Sequence, residues 1–599
     1  MNHAENRKIR NRFFANLHND WALPGLVKQV HANAMRQTPA PFIDMDVALI
    51  GSARLKTALD PVLRVTQLSE PGWSAQLEAS KPSFLLVESD WLEASNPFRE
   101  ALIGSGATAL VQDVIEQCRK NGTPTAFWFH RDAAHLRAFE RIMQQFDYVF
   151  ANHLIIDEAR KIRPDISPVR SCVDSSCYNP YKQKTGDWSD LPETIQFLMA
   201  RAFDYTNVRG TSGLVEDIAT LFDKKFWFYE DRYNIRNNNQ RMNPAERCRV
   251  LGCFHDLQRA ALLKPAVAEI IPKAIFPDGS PQAEQHILEC LATKTLCISD
   301  SDYWNKAIGH GVLQINDASE FRAACEDIER HPVDAAIKAH QGWREVMENH
   351  THYEFIEDIS RVMNVPVAYK VPKNARLSFI LPTIRPELVP MSVKFYQAQT
   401  YRERELLIVL NTHDADMTEV EAARKGDDSI KLLQTPADMP VGCAVNLGIL
   451  NMSGDYWAKM DDDDYYSPNY LADINLYRKA VDFDIAGKGA LFNYLEAEDA
   501  TIVRSWKQAD RQTHNFAGGT LVVKNTPENV HWPENVRGYA DIEFLTQRLT
   551  KGAHISSLDP FSHIQIRRSD STFHTWTRQA VHANAAFVSD GLSVESVFI

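Results

Sequence analysis

The stretch GDYWAKMDDDD, residues 454–464, decides how the C-terminal part of this sequence folds. Tyr456–Lys459 is an apolar and aromatic run typical of a buried β-strand, and four aspartates follow where that strand ends. Adjacent like charges repel, so a fold keeps them together only where a cation or solvent relieves the repulsion. Because alternate residues of an extended segment share a side, Asp461 and Asp463 are predicted to face one hard cation.

A solvated acidic loop is the alternative interpretation of this run. An EF-hand calcium loop is not supported, because the segment lacks the glycine at position six and the glutamate at position twelve of such a loop. The wider sequence therefore has to separate a cation site from an acidic surface loop.

Composition sets the class of protein. A length of 599 residues predicts about three to five folding units. With 44% hydrophobic and 24% charged residues, the chain is typical of globular proteins rather than of disordered, collagen-like or coiled-coil ones. A net charge of −13 has the wrong sign for a protein that coats nucleic acid, so we expect no nucleic-acid partner.

The sequence also predicts where the protein works. It has no apolar run long enough for an integral membrane segment and no signal-peptide core at its start, which predicts a cytoplasmic location, with peripheral attachment at the inner membrane face left open. Nine cysteines, an odd number, favour a reducing compartment. The pairs Cys172/Cys177 and Cys248/Cys253 have no nearby His or Cys at zinc-ligand spacing, so buried thiols are the favoured interpretation.

The first half of the chain alternates strand-like and helix-like segments. The predicted strands are Asp46–Gly51, Ser83–Val87, Thr125–Phe129 and Tyr148–Ala151, and the predicted helices between them are Ala107–Lys120 and Ala134–Gln145. A second alternating stretch, from about Leu214 to Asp300, ends in a predicted helix, Gln282–Ala292, and a predicted strand, Thr295–Ile298. This rhythm predicts an α/β fold with two doubly wound lobes.

Ser319–Met363 is predicted to be helical, and Asn364–Ala375, with two prolines and no amphipathic pattern, is predicted to be a linker. The expected domains are a helical extension at 1–40, lobes at 41–180 and 181–371, and a C-terminal domain at 372–599. In the last of these, Leu377–Leu381 and Glu405–Leu410 are predicted to begin a third α/β unit.

Several motifs of the C-terminal domain resemble the family 2 glycosyltransferases of GT-A fold, in the same order along the chain. They are LSFILPTIRPE at 377–387, QTY at 399–401, the helix containing Asn446 and Gly448, and the aspartate run in place of the DxD motif. The resemblance implies a nucleotide-sugar donor linked to UDP, GDP or dTDP. It also implies Mn²⁺ or Mg²⁺, held by Asp463 with Asp461.

The same resemblance assigns the remaining roles. Asp541, in GYADIEF at 538–544, takes the place of the general base, although the family's preceding glutamate is Ala540 here and Glu543 is a rival base. A helix-capping role is the alternative for Asp541. Donor contacts are expected from Pro382, Thr383, Arg385, Glu387, Asn411, Asn446, Asp461, Asp462, Arg567 and Arg568. His574 is a further candidate metal ligand, and Gly518, Gly519 and Trp576 are acceptor candidates.

The first half resembles GT-B-type glycosyltransferases related to spore-maturation proteins. The residues that carry this are KPSFLLVESDW at 81–91, PTAFWFHRD at 124–132, FDYVFA at 146–151 and EQHILECLATKTLCIS at 284–299. The resemblance implies a GT-B-like pair of Rossmann-like lobes, with Glu289 as a donor ribose ligand. The basic pair that precedes this glutamate in the group is Gln285 and His286 here, which leaves the activity of this half open.

The sequence thus predicts a metal-dependent, inverting glycosyltransferase in surface polysaccharide biosynthesis, acting on a glycan or lipid-linked acceptor. One alternative is a bifunctional enzyme with both halves active. Another is a non-catalytic glycan- or nucleotide-binding protein on a transferase scaffold. A nucleotidyltransferase is disfavoured, because no Gly-rich loop follows the first strand of the C-terminal domain.

Overall fold

The computed structural model describes most of the chain. The described residues are 35–90, 96, 98, 101–103, 108–182, 197–201, 226–230, 256–273, 275–412, 417–437, 439–513, 516–529, 531–535, 540–569, 585–594 and 597. They divide into two compact units, which meet in sequence at Val371 and Pro372. Tyr181 and Lys182 belong to the second unit. The predicted extension at 1–40 lies outside the described residues up to position 34.

The first unit contains a six-stranded sheet in which every neighbouring pair is parallel. Its strands are β2 (Asp46–Ile50), β3 (Arg64–Gln67), β4 (Phe84–Glu88), β5 (Thr125–Phe129), β6 (Tyr148–Asn152) and β7 (Ser167–Val169), in the order β3-β2-β4-β5-β6-β7. The helices of this lobe are α1 (Ala53–Leu59), α2 (Trp73–Ser80), α3 (Thr108–Asn121), α4 (Leu136–Met143) and α5 (Ile156–Ile162). All four strands predicted from the apolar runs are confirmed.

A second parallel sheet of the same unit has the order β12-β11-β10-β8-β9. Its strands are β8 (Phe197–Arg201), β9 (Phe226–Glu230), β10 (Ala268–Ile270), β11 (Leu296–Ser299) and β12 (Val312–Gln314). The helices after β9 are α6 (Asp256–Leu263), α7 (Pro281–Ala292), α8 (Asp302–Ile308), α9 (Ala318–Arg330), α10 (Pro332–Asn349) and α11 (His352–Met363). Of the predicted alternating stretch from about Leu214 to Asp300, residues 214–225, 231–255 and 274 lie outside the described residues.

The predicted linker at 364–375 contains a strand, β13 (Tyr369–Val371), which pairs antiparallel with β1 (Phe42–Ile43). The Tyr369 hydroxyl donates to Glu357 at 2.8 Å. This pairing involves a partner more than 300 residues away, so the local pattern of prolines and polar residues gave no sign of it.

The second unit contains an eight-stranded mixed sheet in the order β16-β15-β14-β17-β23-β19-β24-β22. Its strands are β14 (Leu377–Thr383), β15 (Arg404–Leu410), β16 (Ile430–Gln434), β17 (Tyr456–Lys459), β19 (Ile485–Gly487), β22 (Arg511–Gln512), β23 (Val522–Lys524) and β24 (Ile555–Ser557). A five-stranded sheet has the order β18-β25-β20-β21-β26. It is built from β18 (Tyr465–Tyr466), β20 (Leu491–Leu495), β21 (Ala500–Arg504), β25 (His563–Arg567) and β26 (Ala585–Asp590).

Helices cover the larger sheet of this unit. They are α12 (Val389–Gln397), α13 (Thr418–Arg424), α14 (Val441–Asn451), α15 (Tyr470–Arg478) and α16 (Ala540–Thr550). Gly448 lets α14 lie directly on β14, because a Cβ at this position would stand 2.6 Å from the Ile380 side chain. Trp457 of β17 packs against Trp532 and Phe544 in the core beneath.

The two units together make the chain a mixed α/β protein with parallel sheets, as predicted. Within the part of the chain that the structure describes, no helix combines the length and apolar character needed to span a membrane.

Candidate active site

The candidate site lies where two neighbouring parallel strands of the second unit end. β14 pairs with β17, with Ile380 opposite Lys459, so the residues that follow each strand emerge at the same edge of the sheet. Thr383 and Arg385 come from the first strand and the aspartate run from the second. The carboxyl edge of an open α/β sheet is where ligands bind in such folds.

Each of the first three aspartates has a cationic neighbour. Lys459 pairs with Asp461. Arg385 pairs with Asp462, which also accepts from the Thr383 hydroxyl, and the same guanidinium lies 3.0 Å from Asp463 Oδ2. The run is thus partly neutralised by the fold itself, and it is not a freely solvated loop.

Negative charge nevertheless remains in excess at Asp463. Burial and the neighbouring carboxylates of Asp464 and Asp461 raise the pKa of Asp463 to about 6, against the opposing effect of Arg385. The Asp463 side chain is 18% exposed, so it can still reach a ligand. A half-buried oxygen donor with unrelieved negative charge suits a hard divalent cation such as Mg²⁺ or Mn²⁺. The chemistry of this carboxylate therefore fits the predicted metal, and the assignment of Asp461 and Asp463 as its holders stays a prediction.

Gly518 and Gly519 bring the predicted base to the aspartate run. A Cβ at Gly519 would lie 2.5 Å from an Asp461 oxygen, and a Cβ at Gly518 would lie 2.7 Å from an Asp541 oxygen. Real Cβ atoms do not approach oxygens this closely, so a side chain at either position would push the neighbouring carboxylate aside. Two consecutive glycines therefore touch the two carboxylates that the sequence assigns to different roles.

A buried tyrosine ties these pieces together. The Tyr466 hydroxyl accepts from the backbone N–H of Asp461 at 2.9 Å and donates to the carbonyl of Gly519 at 2.7 Å. Its ring is fully buried and meets Phe379 and His563 edge to face. One phenol thus fixes the start of the aspartate run against the glycine loop.

Lys459, like Tyr466, is a residue of the site that was not predicted from the sequence. Burial lowers the pKa of its ammonium, but Asp461 and Asp541 outweigh that effect and raise it. A cation therefore lies close to both carboxylates. Its position directly before the aspartates was visible in the sequence, but a lysine on a strand otherwise resembles a solvated surface residue.

The last aspartate has a structural role. Asp464 accepts from the backbone N–H of Ile566 at 3.0 Å and faces His563 Nε2 at 3.2 Å. Both side chains are almost fully buried. This pair joins the aspartate run to β25, which carries Arg567. Asp464, Asp463 and Asp461 all act electrostatically on the Arg567 guanidinium, whose pKa burial lowers overall.

Among the other predicted residues, Asn411, Asn446 and Glu543 have hydrogen bonds to residues outside the aspartate run. Asn411 donates to the Met439 carbonyl, and the Asn446 amide is engaged with Trp532 and Glu534. Glu387 and Glu543 are exposed, and Glu543 accepts from Gln547. Pro382 lies within β14, and Arg568 follows β25. His574 and Trp576 lie outside the described residues.

The first unit has a polar group of its own at the carboxyl ends of β4 and β5. Glu88 accepts from Ser52 N at 2.7 Å and from its hydroxyl at 2.8 Å, and lies 3.7 Å from His130. Arg131 pairs with Asp90 at 2.9 Å. Burial raises the pKa of Glu88 to about 7 and lowers that of His130.

Glu289, the predicted donor ligand of this unit, is held by two arginines. Arg259 pairs with one of its oxygens, and Arg54 lies 3.0 Å from the other. The carboxyl group is buried, and its pKa is lowered because the two arginines outweigh the effect of burial.

Comparisons with known proteins show that part of the second unit is similar to a known family. Residues 378–486, which include the aspartate run, match the model of glycosyl transferase family 2. The predicted resemblance is confirmed for this segment. No such support exists for the GT-B-like resemblance of the first half, which stays a prediction.

Curated relatives match over short stretches. An uncharacterized glycosyltransferase of Haemophilus influenzae (strain ATCC 51907 / DSM 11121 / KW20 / Rd) is 31% identical over 114 residues, which is 19% of this chain and 35% of the relative. One of Rickettsia prowazekii (strain Madrid E) is 36% identical over 89 residues, 15% of this chain and 27% of the relative. The chain thus spans about a third of the length of the curated relatives it matches.

Two solved structures show a weaker likeness. Staphylococcus aureus TarS 1-349 in complex with UDP-GlcNAc has a TM-score of 0.28 and 15% identity, covering 34% of this chain and 62% of that one. The mannosyltransferase PcManGT from Pyrobaculum calidifontis in complex with GDP-Man and Mn²⁺ has a TM-score of 0.27 and 16% identity, covering 33% and 59%. At these scores the superpositions carry no argument.

Replacing Tyr466 with phenylalanine tests the tie between the aspartates and the glycine loop. Removing the hydroxyl leaves a buried N–H and a buried carbonyl without this partner, which costs about 1–3 kcal/mol. We expect a lower urea midpoint for Tyr466→Phe in the full chain. The matched control is Tyr494→Phe, whose exposed hydroxyl donates to Asp499 and whose loss costs little. An unchanged midpoint for Tyr466→Phe would contradict the structural role.

Replacing Glu88 with glutamine tests the electrostatics of the first unit. The pKa of Glu88 rises from 4.5 to about 7 on folding, so its contribution to stability is full below pH 4.5 and is lost as pH rises through 7. Glutamine stays neutral and keeps an oxygen for Ser52. Relative to wild type, Glu88→Gln should therefore gain roughly 1–3 kcal/mol between pH 5 and pH 8.

Calorimetry of the full chain at both pH values measures this gain. The exposed Glu78 provides the control, because Glu78→Gln should leave the pH profile unchanged. A parallel pH profile for Glu88→Gln and wild type would show that Glu88 is ionised in the folded protein.

Proposed function

We propose that the second unit transfers a sugar from a nucleotide-sugar to a hydroxyl of a glycan or lipid-linked acceptor, with inversion at the anomeric carbon. The observation that carries this proposal is the contact of Gly518 and Gly519 with Asp541 and Asp461. Through these two glycines, a candidate base and a candidate metal-binding carboxylate both contact one loop. Asp461 lies within the segment that matches glycosyl transferase family 2, and Asp541 lies beyond it in the same unit.

The aspartate run supplies the donor side of this proposal. Asp461 and Asp463 would hold Mn²⁺ or Mg²⁺, which when bound neutralises charge on the diphosphate leaving group. Arg385, beside Asp462 and Asp463, is positioned to contact a donor phosphate. Thr383 ends β14 at this edge, and Arg567, from β25 of the five-stranded sheet, interacts electrostatically with the aspartates. Asn411 and Asn446 would have to exchange their present hydrogen bonds for donor contacts, since their amides already bond within the fold.

Asp541 supplies the acceptor side. Its carboxylate takes the proton of the acceptor hydroxyl as that oxygen attacks the anomeric carbon, and the sugar–phosphate bond breaks on the opposite face. The nucleoside diphosphate leaves with the bonding electron pair, and the configuration inverts. Lys459, which pairs with Asp461 and interacts electrostatically with Asp541, places a positive charge between the two sides of the site.

We assign the activity to one unit and not to two. The bifunctional alternative needs Glu289 to bind a donor ribose, but Arg259 and Arg54 already occupy its oxygens. A solely glycan-binding role would have no use for a carboxylate held against the aspartate run. The setting that we propose is surface polysaccharide biosynthesis at the cytoplasmic face of the membrane.

The test is turnover of a panel of UDP-, GDP- and dTDP-sugars by the full chain, with water as a surrogate acceptor. If Asp541 is the base, Asp541→Asn lowers kcat by about 10²–10⁴-fold with little change in donor KM. The control is Asp428→Asn, the same change at an exposed aspartate, which should retain wild-type turnover.

Two results would contradict the proposal. One is wild-type kcat for Asp541→Asn. The other is retention of configuration, which proton NMR of the first released sugar would detect before it mutarotates. If Glu543→Gln alone lost activity, the base would be the neighbouring glutamate and the assignment of Asp541 would fail.

A further inference from the structure

Four side chains with metal-binding atoms meet in the core of the first unit. They are Glu269 of β10, His286 and Cys290 of α7, and Cys297 of β11. Glu269, Cys290 and Cys297 are fully buried, and the His286 side chain is 14% exposed. None of them takes part in the proposed sugar transfer, which lies in the other unit.

The distances within this group are short. His286 Nε2 lies 2.8 Å from one oxygen of Glu269, and Cys290 Sγ lies 2.8 Å from the other. These three donor atoms all lie within 4.8 Å of one another. The Cys297 thiol is a hydrogen-bond partner of Cys290. Three donor atoms thus surround one small volume, and a fourth lies beside Cys290.

The βαβ geometry brings them together. β10 and β11 are adjacent parallel strands in which Glu269 stands opposite Cys297, so both side chains project from the same face of the sheet. The connecting helix α7 carries His286 and Cys290 one turn apart, on a single face. That face packs on the two strands.

The donor set suits one class of ion. One imidazole nitrogen, two thiols and one carboxylate match the ligands and the number that tetrahedral Zn²⁺ takes in proteins. Thiols disfavour Mg²⁺ and Ca²⁺, which take oxygen ligands. We propose that Glu269, His286, Cys290 and Cys297 form a structural zinc site. At zinc bond lengths of about 2.0–2.3 Å, the two pairs of donor atoms that stand 2.8 Å apart would separate as the ion enters between them.

The surrounding residues support this site. Arg259 donates to Cys290 Sγ at 3.7 Å and lies 3.9 Å from Glu269. Zinc with two thiolates, one carboxylate and one neutral imidazole carries a net charge of about −1, which a nearby guanidinium offsets. The ring of Phe276 lies 4.3 Å from that of His286 and fixes its orientation.

The competing explanation is a metal-free polar cluster. In that case His286 and Arg259 would neutralise Glu269, and both thiols would stay protonated. The two explanations differ in metal content and in the thiol chemistry of the folded protein, so they can be separated directly.

The experiment is elemental analysis of the full chain purified without chelator from zinc-supplemented culture. We expect about one equivalent of zinc, and after exchange with Co²⁺ the near-ultraviolet absorption of thiolate-to-cobalt charge transfer. Cys290→Ser and Glu269→Gln should each lose at least about 90% of the zinc. Cys325→Ser, which changes a buried cysteine outside the group, should retain it.

Several outcomes would overturn the proposal. They are wild-type protein that binds neither Zn²⁺ nor Co²⁺, zinc retained equally by Cys290→Ser and Glu269→Gln, and cobalt bound without a thiolate band. Folding is followed by circular dichroism, and Glu269→Gln provides a nearly isosteric variant should Cys290→Ser be unstable. The site is independent of the sugar transfer, so Asp463→Asn should keep its zinc.

Discussion

Mutual repulsion among four consecutive carboxylates is the constraint on which the second unit depends. Their position at the end of β17 is tolerable because the fold places Lys459 and Arg385 beside the first three and His563 beside the fourth. Lys459 ends β17 and Arg385 follows β14, which are neighbours in the larger sheet, whereas His563 begins β25 of the five-stranded sheet. Burial and the neighbouring carboxylates still raise the pKa of Asp463 to about 6. A further cation bound beside this carboxylate would therefore be stabilising.

Much of this could be predicted from local pattern. Runs of consecutive apolar residues such as Thr125–Phe129 were long enough to identify buried parallel strands. The aspartates that follow Tyr456–Lys459 identified the candidate active site. What local pattern could not reveal were contacts between distant segments. The pairing of β1 with β13 and the hydrogen bonds of Tyr466 depend on tertiary packing, which leaves no periodic trace in either partner.

The same limit applies to the cysteines. Considered as closely spaced pairs, they suggested only buried thiols, and Cys172 and Cys177 are indeed buried. Cys290 and Cys297 gain a different meaning only when the register of β10 and β11 places Glu269 beside them. Glu289, which resembles a donor ligand in the sequence, is instead engaged by two arginines.

The most direct test of the account is Mn²⁺ binding by the full chain in the presence of UDP or GDP, measured from the electron paramagnetic resonance signal of free Mn²⁺. The account predicts that wild type and Asp428→Asn bind Mn²⁺ with equal affinity. Asp463→Asn should bind Mn²⁺ at least about tenfold more weakly. Replacing a residue that only supports the metal ligands already lowers metal affinity by about 10–100-fold. Equal Mn²⁺ affinity in Asp463→Asn and wild type would contradict the assignment of the aspartate run as the metal site.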